Sequence, residues 1–135
     1  SMVIPNSADL MHWEIGDHGF AMGLSPLVPE TVGAALLPWL RDWLKEQAIA
    51  LEAVTSWAVH PGGPKILSTC SEVLSLEPNR LLDSRAVLQD HGNMSSATIL
   101  FILERLRRRS TAGLCLALAF GPGLTAEVAL FDRQV

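Results

Sequence analysis

Residues 54–64 have the sequence VTSWAVHPGGP, and this stretch decides the fold class. Its first six residues are mostly apolar and β-prone, as expected for a strand in a buried sheet. The proline and glycine residues that follow break a strand ladder. We therefore predict a strand over Val54–Val59, with His60 at its carboxy end.

Four helices are predicted around this strand. Before it, apolar residues recur at three- and four-residue spacings, and Pro38 marks the position at which that helix would kink. After it, Pro78-Asn79 opens a helix, and Gly92 interrupts the pattern before it resumes. The predicted helices are Glu30 to about Gln47, Lys65–Leu76, Arg80 to about Gln89, and Ser95–Arg109. Asn93 lies in the break before the last helix.

Four more strands are predicted as two antiparallel pairs. The pairs are Leu10–Glu14 with Gly19–Leu24 around a Gly16-Asp17 turn, and Leu114–Phe120 with Leu124–Phe131 joined by Gly121-Pro122-Gly123. Strands that alternate with helices indicate an α/β architecture, because each face of a sheet needs helical cover. We predict one domain over residues 1–135, with a mixed sheet covered by helices.

The composition suggests a chain with a surface that a partner covers. Hydrophobic residues make up 49% of the chain and the mean hydropathy is +0.29, which is high for a soluble chain of 135 residues.

The net charge of -4 argues against nucleic-acid binding. The basic run Arg105, Arg107, Arg108 and Arg109 ends a helix, where positive charge complements the helix dipole. No apolar run approaches the roughly 20 residues that cross a bilayer, so no membrane span is expected.

The cysteine and histidine residues form no pattern typical of a metal or disulfide site. Cys70 and Cys115 have apolar neighbours and no paired spacing, which fits a reducing cytoplasm. The histidines, at His12, His18, His60 and His91, lack the spacing of a preformed zinc site. We therefore expect neither a metal nor a disulfide.

Three segments carry motifs that go beyond secondary structure. They are Trp57–Pro64 (WAVHPGGP), Gly92–Ala97 (GNMSSA) and Phe120–Leu124 (FGPGL). In order and spacing they resemble the type III polyketide synthases, the chalcone synthase-like branch of the thiolase superfamily. The ketoacyl synthase III branch shares the histidine and asparagine, but its motifs typically lack HPGGP and the Met-Ser-Ser run. The resemblance is weak over Trp13–Pro29 and strong over Val54–Leu130, and it implies the carboxy-terminal half of a thiolase-like fold.

The resemblance implies catalytic roles for His60 and Asn93. In the family, a cysteine in the amino-terminal half attacks an acyl-CoA thioester, and neither Cys70 nor Cys115 matches that cysteine. An imidazole can hold a thiolate as an ion pair, and imidazole N–H and amide NH2 groups can stabilise an enolate. Two structural interpretations stay open beside these roles. His60 could be a strand-end histidine hydrogen-bonded to the backbone, and Asn93 could cap or turn the chain before the Ser95 helix.

The resemblance also implies residues that contact the substrate. The loop after His60 would line the tunnel for the pantetheine arm of CoA, since glycine permits close approach of the backbone. The implied substrate- and CoA-binding residues are Gly62, Gly63, Lys65, Ser95, Phe20, Gly121 and Pro122. Other interpretations stay open for Lys65 as a solvated side chain, Phe20 as a core aromatic, and Gly121-Pro122-Gly123 as an ordinary turn.

The function implied by the resemblance is that of an acyltransferase half. It would condense an acyl-CoA starter with malonyl-CoA by decarboxylative Claisen chemistry, with CoA thioesters as substrates and no cofactor. Without the family's amino-terminal half, these residues are expected to be inactive alone and to form a homo-oligomer through an exposed apolar helix face. The alternatives are a non-catalytic CoA-thioester-binding or assembly module, and a domain whose motifs serve packing only. The starter, the number of extensions and the mode of ring closure stay open.

Overall fold

A four-stranded mixed sheet forms the centre of the protein. The structure, a computed structural model, describes residues 1–109 and 112–133. Its helices and strands are β1 (Met2–Val3), β2 (Met11–Gly16), β3 (Gly19–Leu24), α1 (Val28–Glu46), β4 (Val54–Val59), α2 (Pro64–Val73), α3 (Leu82–His91), α4 (Ala97–Arg107), β5 (Gly113–Gly121) and β6 (Thr125–Arg133). The strand order is β1-β6-β5-β4, with β4 parallel to β5 and the other neighbours antiparallel. The predicted α/β architecture with a mixed sheet is confirmed.

The first face of the sheet, as we call it, is covered by α1 and α2. Helix α1 stays a single helix through Pro38, and its buried residues follow the predicted three- and four-residue spacing. The cluster on this face includes Val32, Leu36 and Leu40 of α1, Leu67 of α2, Trp57 and Val59 of β4, and Leu116 and Leu118 of β5. These side chains form the larger part of the hydrophobic core.

The second face is covered by α3 and α4. Its cluster joins Ala58 of β4 and Cys115 and Ala117 of β5 to Val87 of α3 and to Ile102 and Leu106 of α4. The division follows from strand geometry, because successive side chains of a strand point to opposite faces. A residue's position in β4 therefore decides which pair of helices it contacts.

Local backbone conformations explain where the helix ends differ from prediction. Helix α2 ends three residues earlier than predicted, because Ser75 adopts a left-handed conformation with φ of 52°. Helix α4 begins two residues later than predicted, because Ser95 has φ of 57°. Residues Pro78–Leu81 form a 3-10 turn, so α3 also begins two residues late. These ends shape the loops that carry the candidate site.

The predicted hairpin forms a separate two-stranded sheet from β2 and β3. It is attached to the main sheet where the N–H of Gly123 donates to the carbonyl of Met11 at 2.7 Å. Beyond that attachment, most of its side chains are exposed. The hairpin therefore projects away from the core.

Several features bear on metal and membrane binding. Cys70 and Cys115 are buried free thiols. Across residues 1–109 and 112–133, histidine, cysteine, aspartate and glutamate side chains form no group of three suited to a metal ion. No helix in the same ranges is long and apolar enough to cross a bilayer.

Candidate active site

The carboxyl ends of β4 and β5 lie at the same edge of the sheet because the two strands are parallel. At this edge, which we call the carboxyl edge, the N–H of His60 donates to the carbonyl of Leu118 at 2.8 Å. The ladder thus continues one residue beyond β4 and then ends, because the N–H of Gly62 turns back to the carbonyl of His60 at 3.2 Å. The main chain of His60 is held as firmly as a strand residue.

The side chain of His60 is buried on the second face. Residues Ser56, Ala58 and His60 alternate along the strand, and Ala58 packs in the second-face cluster. His60 is only 8% exposed, and neither ring nitrogen has a hydrogen-bond partner in the described parts of the chain. Burial lowers the pKa of His60 below its ordinary value of 6.5. The imidazole is neutral at pH 7 and can accept a proton from a group outside these residues.

Asn93 lies in the loop between α3 and α4, and its amide is oriented by a local turn. Its Oδ1 accepts a hydrogen bond from the N–H of Ser95 at 2.9 Å, so the carbonyl end of the amide is occupied. The NH2 end is left as a donor at an exposed position. The N-cap residue of α4 is Ser96. The structural interpretation of Asn93 as a cap or turn residue is confirmed in its second form, because Asn93 is a turn residue and Ser96 is the cap.

The direction of α4 brings this loop to the carboxyl edge. The carboxy end of α4 lies at the opposite edge, where Arg133, the register partner of Gly113, donates to the carbonyl of Leu106. The helix runs back over the sheet, so its amino end lies towards the edge that carries His60. Met94, in the loop before α4, packs against the second-face cluster. The structure thus brings His60 and Asn93 to one edge and one face of the sheet.

The loop after His60 contains two glycines that the fold does not require. A Cβ at Gly62 would meet only Ile66, at 3.8 Å, and a Cβ at Gly63 would meet no atom of the described residues within 4 Å. Neither glycine adopts the left-handed region, and Gly63 is fully extended with φ of 175°. The backbone here is open enough for a ligand to approach closely. Lys65 is exposed in the first turn of α2, beside this loop.

Gly121 and Pro122 lie in the turn between β5 and β6, also at the carboxyl edge. Gly123 has φ of 74° and Leu124 has φ of 45°, so the turn needs a residue that tolerates the left-handed region. The interpretation as a β-turn is therefore confirmed. A role for this turn in shaping a substrate cavity stays a prediction.

Phe20 lies on the projecting hairpin and is 71% exposed. Its ring makes an edge contact with Trp13, with ring centroids 6.3 Å apart. The interpretation of Phe20 as a core aromatic is wrong, because the residues it would pack on lie at the base of the hairpin. Phe20 pairs with Ile15, four residues along β2 from Met11, or roughly 13 Å from the attachment. The base of the hairpin is held at Gly123, in the turn at the carboxyl edge, and Phe20 lies further out along the hairpin.

Two buried hydroxyl groups next to the site were missed by sequence reasoning. Ser84 and Thr98 are both 0% exposed, and they accept hydrogen bonds from the N–H groups of Val59 and Met94. For Ser84 a signal existed, since its spacing of three from Val87 places a hydroxyl on the buried stripe of α3.

An apolar surface remains exposed beside the site. Leu100 and Phe101 of α4 are 64% and 46% exposed, whereas Phe131 of β6, 43% exposed, lies away from the carboxyl edge, where it pairs with Cys115. The ring of Phe101 contacts that of His91, with centroids 5.3 Å apart. The expected exposed apolar helix face is present on α4. Such a surface is typical of a site that another protein surface covers.

Comparison with known proteins settles the family. Residues 1–134 match the model for the carboxy-terminal domain of chalcone and stilbene synthases. The chain belongs to this family. A putative chalcone synthase of Bacillus subtilis is 31% identical over 99% of the chain and 38% of its own length. Polyketide synthase 37 of Dictyostelium discoideum is also 31% identical, over 97% of the chain and 5% of its own length.

Solved structures of type III polyketide synthases have the same fold. PKS-I from the brown alga Ectocarpus siliculosus gives a TM-score of 0.91 at 27% identity, over 98% of this chain and 38% of that chain. The carboxy-terminal type III polyketide synthase domain of Steely1, a type I/III hybrid from Dictyostelium, gives 0.88 at 26% identity, over 99% and 39%. The thiolase-like fold of the family is therefore confirmed. The chain spans about two fifths of the Bacillus relative and of both these structures.

Proposed function

We propose that the chain supplies the histidine and asparagine of a Cys-His-Asn triad that condenses an acyl-CoA starter with malonyl-CoA. The observation that carries this proposal is a buried imidazole without a partner, at the same sheet edge as an amide whose carbonyl end is occupied. The imidazole of His60 can accept a proton, and the NH2 of Asn93 can donate a hydrogen bond. Both groups lie towards a surface that these residues leave open. The nucleophilic cysteine would come from the amino-terminal half of the intact protein.

His60 would act first on the cysteine. A neutral imidazole can take the thiol proton, and the resulting imidazolium holds the thiolate as an ion pair. The thiolate attacks the acyl-CoA carbonyl, a carbon–sulfur bond forms, and CoA leaves as a thiolate that takes up a proton. Docking beside a thiolate would raise the pKa of His60, which burial alone keeps low.

Asn93 would act with His60 on malonyl-CoA. Loss of carbon dioxide leaves the carbon–carbon bonding pair in an enolate, whose oxygen needs hydrogen-bond donors already in place. The side-chain NH2 of Asn93 and the imidazole N–H of His60 are suitable donors. The enolate carbon then attacks the acyl-cysteine carbonyl, forming a carbon–carbon bond and releasing the cysteine thiolate.

The remaining loops would bind the substrate. The open backbone at Gly62 and Gly63 supports a path for the pantetheine arm, and exposed Lys65 lies where it could meet a CoA phosphate. Further proposed contacts come from Ser95, Gly121, Pro122 and, on the hairpin, Phe20. The mixture of a few polar groups with open backbone is typical of small-molecule sites.

Neither cysteine of the chain is suited to be the nucleophile. Burial raises the pKa of Cys70 to about 12 and also raises the pKa of Cys115, so neither thiol is ionised at pH 7. We expect the chain alone to be inactive with CoA thioesters. Such buried free thiols also support a location in a reducing compartment such as the cytoplasm.

The test is a chimera in which this chain replaces the carboxy-terminal domain of an active type III polyketide synthase. We expect condensation products by mass spectrometry from the chimera and none from the chain alone. His60→Ala and Asn93→Ala should each lower the rate by about 100-fold or more. His18→Ala and Asn79→Ala are matched controls at exposed positions and should leave the rate unchanged.

Three outcomes would contradict the proposal. Products from the chain alone would mean that it holds its own nucleophile. Equal rates for His60→Ala and His18→Ala would mean that the motifs serve packing only. A folded chimera that binds acyl-CoA without condensing it would indicate a non-catalytic CoA-thioester-binding or assembly module.

The exposed apolar surface supports a second part of the proposal, which concerns assembly. Leu100 and Phe101 would be covered by the amino-terminal half in the intact protein and by another copy in the isolated chain. We expect light scattering to show a homo-oligomer at micromolar concentration, and Phe101→Glu to shift it to a monomer. A monomer of the unaltered chain at that concentration would refute self-association.

A further inference from the structure

Ser84 and Thr98 share an unusual position. Each is 0% exposed, one lies on α3 and the other on α4, and each hydroxyl accepts a hydrogen bond from a backbone N–H outside its own helix. Each of those N–H groups belongs to a residue directly beside a proposed catalytic residue in the sequence. Sequence neighbours of His60 and Asn93 are therefore held by side chains with no exposure of their own.

The Ser84 contact acts on the end of β4. This strand is at the edge of the sheet, and the N–H of His60 points inward to Leu118. In an extended chain the N–H of the preceding residue points the opposite way. The N–H of Val59 therefore points outward, where the Oγ of Ser84 accepts it at 3.1 Å. Without that acceptor the buried N–H of Val59 would have no partner, which is unfavourable. The end of β4 is then expected to shift so that this N–H finds another partner.

The Thr98 contact acts on the loop that carries Asn93. The N–H of Met94 donates to the Oγ1 of Thr98 at 2.8 Å, and the next N–H, that of Ser95, donates to the Asn93 amide. The loop is thus fixed by two successive N–H groups. The Thr98 bond holds the main chain beside Asn93, and the other bond orients its amide.

We propose that Ser84 and Thr98 are positioning residues that set the geometry of His60 and Asn93 through these two backbone bonds. This inference rests on the proposed function for its catalytic meaning. Neither hydroxyl touches substrate in this scheme. Their effect passes through the strand end and the loop, so removing either hydroxyl should disturb one catalytic side chain more than the fold.

Nuclear magnetic resonance on the chain tests the geometry without any assay of activity. The variants are Ser84→Ala and Thr98→Val, which remove the hydroxyls, with Ser84→Thr and Thr98→Ser, which keep them. Ser7→Ala is the matched control, because Ser7 is a 1% exposed serine whose hydroxyl donates to Ile4 in the amino-terminal segment.

We expect each removal to act on its own side of the site. Ser84→Ala should speed hydrogen exchange at the Val59 amide by about tenfold and shift the imidazole nitrogen signals of His60. Thr98→Val should do the same for the Met94 amide and shift the side-chain NH2 signals of Asn93. The hydroxyl-retaining variants should keep the original signals. Unchanged His60 and Asn93 signals, or equal changes in Ser7→Ala, would overturn the inference.

The chimera adds a kinetic readout. Ser84→Ala and Thr98→Val should lower kcat about tenfold with KM for malonyl-CoA unchanged, and Thr98→Ser should restore kcat. A rise in KM alone, or no rescue, would refute a positioning role. If His60→Ala itself leaves condensation unaffected, the proposed function fails, while the resonance result still decides whether these hydroxyls set the site geometry.

Discussion

The two faces of the central sheet are built from the same strands but bury different chemistry. The first face is packed almost wholly with aliphatic side chains and Trp57, whose Nε1 is a buried donor without a partner in the described residues. The second face buries the polar residues Ser56, Asp83, Ser84 and Thr98 and carries His60 at its edge. Most buried polar groups in proteins are paired. The polar bonds of the second face coincide with the elements that carry the candidate site.

Among these buried polar groups, Asp83 would be the most unfavourable without partners, because a buried carboxylate needs cations beside it. Its Oδ1 lies 2.9 Å from Nη2 of Arg109 and 3.6 Å from Nε of Arg105, and its side chain is 5% exposed. A second link comes from Arg133, which donates to Ser56 and to the carbonyl of Leu106. The second face is thus joined to its helices by specific bonds, whereas the first is joined by apolar contact.

The largest effect on stability should come from a cavity in the first face. Leu40 is 0% exposed in the middle of α1, so Leu40→Ala should lower the free energy of unfolding by about 2–5 kcal/mol. Urea unfolding followed by circular dichroism measures the change. Leu82→Ala removes the same atoms from a residue that is 49% exposed and lies outside the proposed association surface, and it should change stability by less than about 0.5 kcal/mol. Similar losses in both variants would mean that this core is not specifically packed.

A smaller effect should follow from unpairing the second face. Asp83→Ala should lower the free energy of unfolding by about 1–3 kcal/mol, less than for a fully buried pair because Arg105 and Arg109 are 42% and 49% exposed. Asp90→Ala is the matched control, since Asp90 is 50% exposed and also pairs with Arg105, at 3.2 Å. It should change stability by less than about 0.5 kcal/mol. If the two variants lose the same amount, burial of Asp83 adds nothing.

The smallest effect should be the pH dependence due to His60. Its pKa is lowered by burial in the folded chain, so below pH 6.5 the unfolded chain binds more protons. The free energy of unfolding should therefore fall as pH drops through 6.5 towards the lower folded pKa. His60→Gln should lose less stability between pH 7.5 and 5.5, measured by urea unfolding. Contacts with Glu14 and Asp9 raise the pKa of His12. This shift is the same in the unaltered chain and in His60→Gln, so it cancels when the two are compared. Equal losses would contradict the burial of a neutral imidazole.

Much of the fold could be predicted from the sequence because its signals are local. The strand Val54–Val59 was predicted to the residue, since proline and glycine end it on one side. The carboxy end of α2 and the amino end of α4 were missed because Ser75 and Ser95 adopt left-handed conformations. A serine in a sequence does not indicate such a conformation. Such turns depend on bonds that the pattern of apolar residues does not reveal.

The site residues, too, could be predicted where their signal is local in the sequence and were missed where it is not. His60 and Asn93 belong to compact motifs, and both lie at the carboxyl edge. The contact between Ser84 and Val59 joins residues 25 positions apart, so no local pattern could indicate it. The exposure of Phe20 was missed for a related reason, because an apolar strand pattern does not say which surface will cover it.

The position of β4 at the edge of the sheet has a consequence for solubility. An apolar strand with a free edge is a template on which strands of other molecules can add, leading to aggregates and amyloid. Here the edge is blocked at both ends, by Nη2 of Arg80 at the carbonyl of Val54, 2.6 Å away, and by Ser84 at Val59. The bonds that hold the strand end also keep it from recruiting other chains. Variants at Arg80 and Ser84 should therefore form fibrils more readily.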